Sequence, residues 1–259
     1  MDSDCGALGP DNFFALHLQS ALDRGSVTPS LWARAAKNLF RVQMRLGMFD
    51  PDEKQPFRSY NASMVDSPRH RLLALEAARQ GLVLALNKND TLPLPKAVQT
   101  LAVIGPNADA TTTLQSNYHG TAPLLVSPFQ GLKHYVPEAV LVQGVDIAGN
   151  DTQGVPAAVT AAAQADAVVL VLGLDQSQER EGHDRTSIAL SPGQQTLLKA
   201  VSAVRPVVIV VISGGPIDLN EAKANPNVRA IIIAGYPGQS GGQVTLCQSV
   251  LTSQSISTI

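Results

Sequence analysis

The run from Gly173 to Arg185 gathers Asp175, Glu179, Arg180, Glu181, His183, Asp184 and Arg185 in a chain that is only 15% charged. Carboxylates crowded among cations can have their proton affinities driven apart, which is the condition for one to act as an acid while another stays ionised. The run follows an unbroken apolar stretch, Ala167 to Leu172. A buried strand that empties into a carboxylate-rich loop is where open α/β sheets place ligand chemistry. The bland alternative is a solvated loop with local ion pairs, and composition alone does not choose between the two. Ser213-Gly214-Gly215-Pro216 is a second strand-to-helix turn that could meet an anion, or serve only as a tight turn.

The elements that must position these residues change character along the chain. Asn12 to Leu22 carries apolar residues and is broken by Gly25. Thr28 is an N-cap ahead of Pro29, and Leu31, Ala35, Leu39, Val42 and Leu46 recur at helical spacing until Gly47. Residues 51–66 are polar, hold two prolines and show no period. A further helix opens at Ser67-Pro68, buries Leu72 through Val83 on one side and ends near Asn87–Asp90. From Thr100 onward short apolar runs alternate with helical stretches. The runs are Leu101–Ile104, Val140–Val142, Ala167–Leu172, Val207–Ile212 and Arg229–Ala234. Between them lie Ala157–Ala165, Ser191–Val204 and Pro216–Ala224, with Ser191 to Gln194 reading as a capping box. Val/Ile/Leu runs without alternation predict strands covered on both faces. The strand–helix rhythm predicts one doubly wound α/β domain, with a mainly parallel sheet and helices on both faces. The tail after Val250 carries no core pattern.

Bulk properties close off several function classes. The 259 residues are 44% hydrophobic, enough for a sizeable core. The net charge is −2 without a basic stripe, which argues against nucleic acid as a partner. No apolar run reaches the ~18 residues of a membrane span. The segment after Met1 has no signal-peptide pattern. Cys5 and Cys247 show no metal-ligand spacing and read as free thiols. No residue set calls for a metal or a cofactor. Neither Gly-x-Gly-x-x-Gly after a strand nor a phosphate loop ending Gly-Lys-Ser/Thr is present, which disfavours a nucleotide-binding protein.

Several segments, taken in order, resemble glycoside hydrolase family 3 and within it the β-xylosidase branch. Met1-Asp2-Ser3-Asp4-Cys5-Gly6 and Arg45-Leu46-Gly47-Met48-Phe49-Asp50 resemble motifs near the end of the family's catalytic barrel. Ala74 to Gly81 and on to Leu94 looks like the helix and strand entering the second domain. Ile104-Gly105-Pro106-Asn107-Ala108 and Asn117-Tyr118-x-Gly120 follow. Asp175 to Arg185 is similar to the family's Asp-x-(Ser/Thr)-x-Glu-x-Glu-x-x-Asp-Arg, and Gly235-Tyr236-Pro237-Gly238 with Gly241-Gly242 completes the series.

The resemblance implies a division of the chain. Residues 1–50 would be the last helices of a truncated (β/α) barrel, 51–66 a linker, 67–250 the α/β sandwich domain and 251–259 an unpatterned tail. It implies a retaining, exo-acting β-D-xylosidase type of hydrolase acting on β-linked xylo-oligosaccharides, with the nucleophile on an earlier barrel segment, so that the missing barrel domain becomes the necessary partner. The position matching the family's general acid/base is Glu179, with Glu181 the second candidate. Without the barrel, Glu179 is expected in open solvent as an ordinary carboxylate. Asp175, Asp184 and Arg185 are loop-shaping or substrate-binding candidates, Asp184 and Arg185 as an ion pair. Ser3-Asp4-Cys5 also looks like the family's nucleophile motif. Gly6 and the distance to Arg45 argue against Asp4 in that role. Trp32 and Tyr236 invite a sugar-stacking reading, but packing is the simpler one. Family members are commonly secreted or vacuolar. Two functions remain open: a fragment that supplies the acid/base loop of a xylosidase, inactive alone, or a non-catalytic carbohydrate-binding or inactive module.

Overall fold

The computed structural model describes residues 13–246, so Asp4, Cys5, Cys247 and the 251–259 tail lie outside the described residues. The chain divides into two compact units, one running to Val65 and one starting at Asp66. The first unit holds helices α1 (Phe13–Asp23) and α2 (Pro29–Arg45). Thr28 caps α2 as its sequence predicts, its hydroxyl accepting from the Leu31 amide at 3.2 Å. The apolar stripe of α2 is laid out on one side, yet no residue of this helix is buried. Trp32 is half-exposed, so of the core or interdomain packing expected for it, burial in a core of its own unit is not what the structure shows. Two short 3₁₀ turns, Asp52–Lys54 and Ala62–Met64, follow.

The second unit opens with α3 (Pro68–Gln80), capped by the Ser67 hydroxyl. Here the sequence reading needs a correction. The helix stops at Gly81, whose amide bonds back to Ala77, and Val83–Asn87 forms strand β1 instead of another helical turn. A short apolar run fits either state, and a partner strand decided it. The remaining elements are β2 (Leu101–Ile104), α4 (Pro128–Tyr135), β3 (Ala139–Val142), α5 (Val155–Gln164), β4 (Ala167–Gly173), α6 (Pro192–Val204), β5 (Val207–Ile212), α7 (Asn220–Ala224) and β6 (Val228–Gly235). Helix α7 starts four residues later than expected from Pro216. Helix α4 carries a full capping box between Ser127 and Gln130 that sequence reading passed over.

The six strands form one sheet in the order β1-β6-β5-β4-β2-β3. All neighbours are parallel except β1, which runs antiparallel along β6. The strands therefore read as the predicted doubly wound α/β sheet. Successive residues of β4 and β5 point to opposite faces. Leu170, Leu172 and Ile209 pack with Ala158 of α5 and Leu197 of α6. Val169, Val171, Val210 and Ile212 pack with Leu132 of α4 on the other side. This two-sided burial is why the strands show no polar alternation. The chain winds one way from β2 to β3 and the other way from β4 to β6. The reversal falls between β2 and β4, the switch point where such sheets leave a crevice at the carboxyl ends of their strands.

Candidate functional site

The charged loop begins where β4 ends, and its start is fixed from below. Gly173 has φ +153°, and a Cβ there would overlap the Ile212 carbonyl oxygen, so only glycine lets β4 leave β5 at this point. The buried side chain of Gln194 clamps the exit. Its Oε1 accepts from the Gly173 amide at 2.8 Å, and its Nε2 donates to the carbonyls of Gly173 at 2.8 Å and Ile147 at 2.6 Å. Gln194 thus serves the loop and not a capping box; only the Ser191 half of that motif forms, at 3.4 Å. The buried Asn107, at the end of β2, donates to the Leu174 carbonyl at 3.1 Å and ties the next residue down.

Asp175 then turns the chain. Its Oδ1 accepts the Ser177 amide at 2.8 Å and the Ser177 hydroxyl at 2.5 Å, and its carbonyl accepts the amides of Gln178 and Glu179 at 3.1 Å each. That single turn aims Glu179 across the sheet edge toward β5 and β6. The Glu179 Oε1 accepts the Tyr236 hydroxyl at 2.7 Å and the Gly214 amide at 2.6 Å. The Gly215 amide is shared between Oε1 at 3.3 Å and Oε2 at 3.2 Å. Arg185 closes the ring, its Nε lying 3.2 Å from Oε2 in an ion pair whose side chains are 14% and 16% exposed. Arg185 is itself fixed by donating to the Pro216 carbonyl at 2.9 Å.

Glu179 is therefore not an ordinary carboxylate in open solvent. Burial pushes its proton affinity up and is the largest single influence. The Tyr236 hydroxyl, the amides of Gly214 and Gly215 and the Arg185 guanidinium together outweigh it, and the carboxyl is held below its usual range. Tyr236 moves the other way: burial and the adjacent Glu179 raise its phenol well above the ordinary tyrosine range, so it stays a donor.

The other candidates sit apart from this ring. Glu181 is exposed at the loop tip, next to Gly182 and the backbone pairing of Arg180 with His183. Its amide donates a long bond, 3.4 Å, to the Asn117 side-chain oxygen. Asp184 is exposed, and the expected ion pair with Arg185 is absent among the described residues; Arg185 has turned to Glu179 instead. Asp175 lines a cleft of about 690 Å³ at the carboxyl ends of β2, β3 and β4, together with Asp109, Gln143, Asp146 and Ser177. The described residues contain no group of three or more His, Cys, Asp or Glu side chains that could hold a metal. No helix among them is long and apolar enough to cross a membrane.

The sequence marked Tyr236 for stacking or packing and not as a partner of Glu179, and it half-showed the role of Gly214-Gly215. The glycine turn does meet an anion, but the anion is the chain's own Glu179. The available signal was the pair of glycines at a strand's carboxyl end. A Cβ on Gly214 would come within 2.8 Å of the Tyr236 ring and 3.2 Å of Glu179 Oε1. One on Gly215 would come within 2.6 Å of Arg185 Nη2 and 2.9 Å of Glu179 Oε2.

Residues 82–254 match the Glycosyl hydrolase family 3 C-terminal domain. Among curated relatives, the chain is 45% identical over 245 residues to Beta-D-xylosidase 1 of Arabidopsis thaliana, and 43% identical over 246 residues to Probable beta-D-xylosidase 7 of the same plant. Each match covers 93% of this chain but 31% of the relative. Among solved structures, a GH3 exo-beta-xylosidase (XlnD) in complex with a xylobiose aziridine activity-based probe superposes with a TM-score of 0.83 at 36% identity, over 93% of this chain and 31% of that one. A GH3 beta-glucosidase from Bifidobacterium adolescentis superposes with a TM-score of 0.75 at 26% identity, over 93% of this chain and 34% of that one.

Proposed function

This chain belongs to glycosyl hydrolase family 3, and from that membership we propose that its α/β unit supplies Glu179 as the general acid/base of a retaining β-D-xylosidase acting on β-linked xylo-oligosaccharides. The chain spans 31% of the length of its xylosidase relatives, which leaves ample sequence in such proteins for a nucleophile domain. Retaining glycosidases need two carboxyl groups about 5–5.5 Å apart, one attacking the anomeric carbon and one protonating the departing oxygen. Glu179 is the second of these, and a barrel carboxylate is the first. Asp4 is not assigned the nucleophile role. On this reading the chain alone leaves aryl β-xylosides intact.

The observation that carries the reading is the treatment of the loop's four carboxylates. Glu179 alone among them is drawn out of water into a ring of donors, whereas Glu181 and Asp184 stand in solvent and Asp175 is spent on the turn. In the first half-reaction Glu179 gives its proton to the leaving sugar oxygen as the glycosidic bond breaks. In the second it takes a proton from the water that attacks the glycosyl-enzyme. Arg185 and Asp175 shape the loop that presents it.

The test uses the enzyme that joins this unit to its barrel. Glu179→Ala and Glu179→Gln should lower kcat on an aryl β-xyloside with a poor leaving group by about 10²–10⁴. The loss should shrink with a dinitrophenyl leaving group, which departs without a proton. Azide should restore turnover in Glu179→Ala by intercepting the glycosyl-enzyme as a β-xylosyl azide. Full activity in both variants would remove Glu179 from the chemistry, and the same loss in Glu181→Gln would transfer the role.

A further inference from the structure

The ring around Glu179 has a consequence for its proton. Each carboxylate oxygen offers two lone-pair positions. Oε1 faces three donors: the Tyr236 hydroxyl at 2.7 Å, the Gly214 amide at 2.6 Å and the Gly215 amide at 3.3 Å. Oε2 faces the Gly215 amide at 3.2 Å and the Arg185 Nε at 3.2 Å. Every group that meets the carboxylate donates to it here; the two amides and the guanidinium cannot accept, and the Tyr236 hydroxyl accepts only by turning its own proton away. A proton placed on Oε2 would point at another proton, and one placed on Oε1 would end the Tyr236 donation that holds the carboxylate. The observed position is that of an ionised base, not of an acid ready to donate.

We propose that Tyr236 is a positioning residue for Glu179: its phenol, the Gly214 and Gly215 amides and the Arg185 guanidinium form a latch that the carboxylate must leave before it can carry a proton to a leaving group. The proposal rests on Glu179 being the acid/base. The latch is built from three separate places in the chain: the end of β5, the end of β6 and the far side of the charged loop. The remaining members leave the loop room to move. Gly182 at φ +71° has no neighbour a Cβ would meet, and Glu181 and Asp184 on either side of it are exposed. The glycine pair is required for space and not for backbone angle, since neither Gly214 nor Gly215 has a positive φ. The titratable and charged groups that face Glu179 are Arg185 from its own loop and Tyr236 from the end of β6. Asp175 acts on Tyr236 and reinforces its protonated state.

The experiment reads the proton on Glu179 directly. The full chain is labelled with ¹³C at the glutamate carboxyl, the Glu179 resonance is assigned by its loss in Glu179→Gln, and its midpoint is followed from pH 2 to 8. The wild-type midpoint should lie below the ordinary glutamate value of about 4.3. Tyr236→Phe keeps the ring and removes one donor, so it should raise the midpoint by about one pH unit. Gly215→Ala should raise it as well, because the added methyl meets only the flexible ends of Glu179 and Arg185 and pushes them off the turn. In the enzyme joined to its barrel, Tyr236→Phe should carry the basic limb of the kcat/KM profile upward by the same amount. Midpoints in Tyr236→Phe and Gly215→Ala that coincide with wild type would overturn the latch. A shifted midpoint together with full activity in Glu179→Gln would instead uphold the latch and refute the acid/base role.

Discussion

Glu179 shows how one carboxylate can answer to opposing influences. Burial favours the neutral form, while three donors and a guanidinium favour the charged form and prevail. Because the folded proton affinity is depressed, the ring's contribution to stability is fully present above the unfolded glutamate value of about 4.3. It is lost as pH falls through the lower, folded value. The Tm difference between wild type and Glu179→Gln should therefore be widest near neutrality and close below about pH 4. Thermal unfolding of both proteins at pH 7 and pH 3.5 measures it, and a gap that is unchanged at acid pH would show that the ring does not favour the ionised carboxylate. The identity of Glu179 was legible in the chain because the charges cluster next to an apolar strand. Its partners were not. Gly214 and Tyr236 lie 35 and 57 residues further on, and only the sheet order brings them together.

At the scale of elements, the loop is positioned by the ends of strands and by one buried amide. Gln194 is wholly buried, with its carbonyl and both amide hydrogens committed to Gly173 and Ile147. Gln194→Leu keeps much of the volume and leaves three backbone groups without a partner in an apolar layer. The expected cost is roughly 2–4 kcal/mol, read as a lowered urea midpoint for the α/β unit at unchanged slope. A loss under about 0.5 kcal/mol would mean that water replaces the amide. Local pattern located β2, β4 and β5 to within a residue, since unbroken Val/Ile/Leu runs have few other uses. It failed at Val83–Asn87, where a helical stripe and a strand share the same apolar residues and the pairing with Ile231 and Ile233 of β6 is invisible from the segment itself. It failed again at Gln194, where a cap motif was present but a tertiary need took the side chain.

For the α/β unit as a whole, the sheet is shared by two apolar layers that never touch each other. Leu170 of β4 belongs to the layer under α5 and α6, and Ile232 of β6 to the layer under α4, and both are essentially inaccessible. The strands are common to both layers, so neither can melt while the other keeps its backbone ladder intact. The hydrogen bonds that hold β4 to β5 and β5 to β6 serve both faces at once. Leu170→Ala and Ile232→Ala should each cost about 2–5 kcal/mol, the range for large-to-small changes in a packed interior. Each should lower the same transition, followed by far-UV circular dichroism in urea, with no shoulder. The site offers an independent check of this coupling, because its ring joins the ends of β4, β5 and β6. In either variant the Glu179 carboxyl resonance should keep its native position until that transition and then move with it. If Leu170→Ala instead released the Glu179 resonance well before the ellipticity fell, the layer under α5 and α6 would be a separate cooperative unit, and the site would depend on that face of the sheet alone.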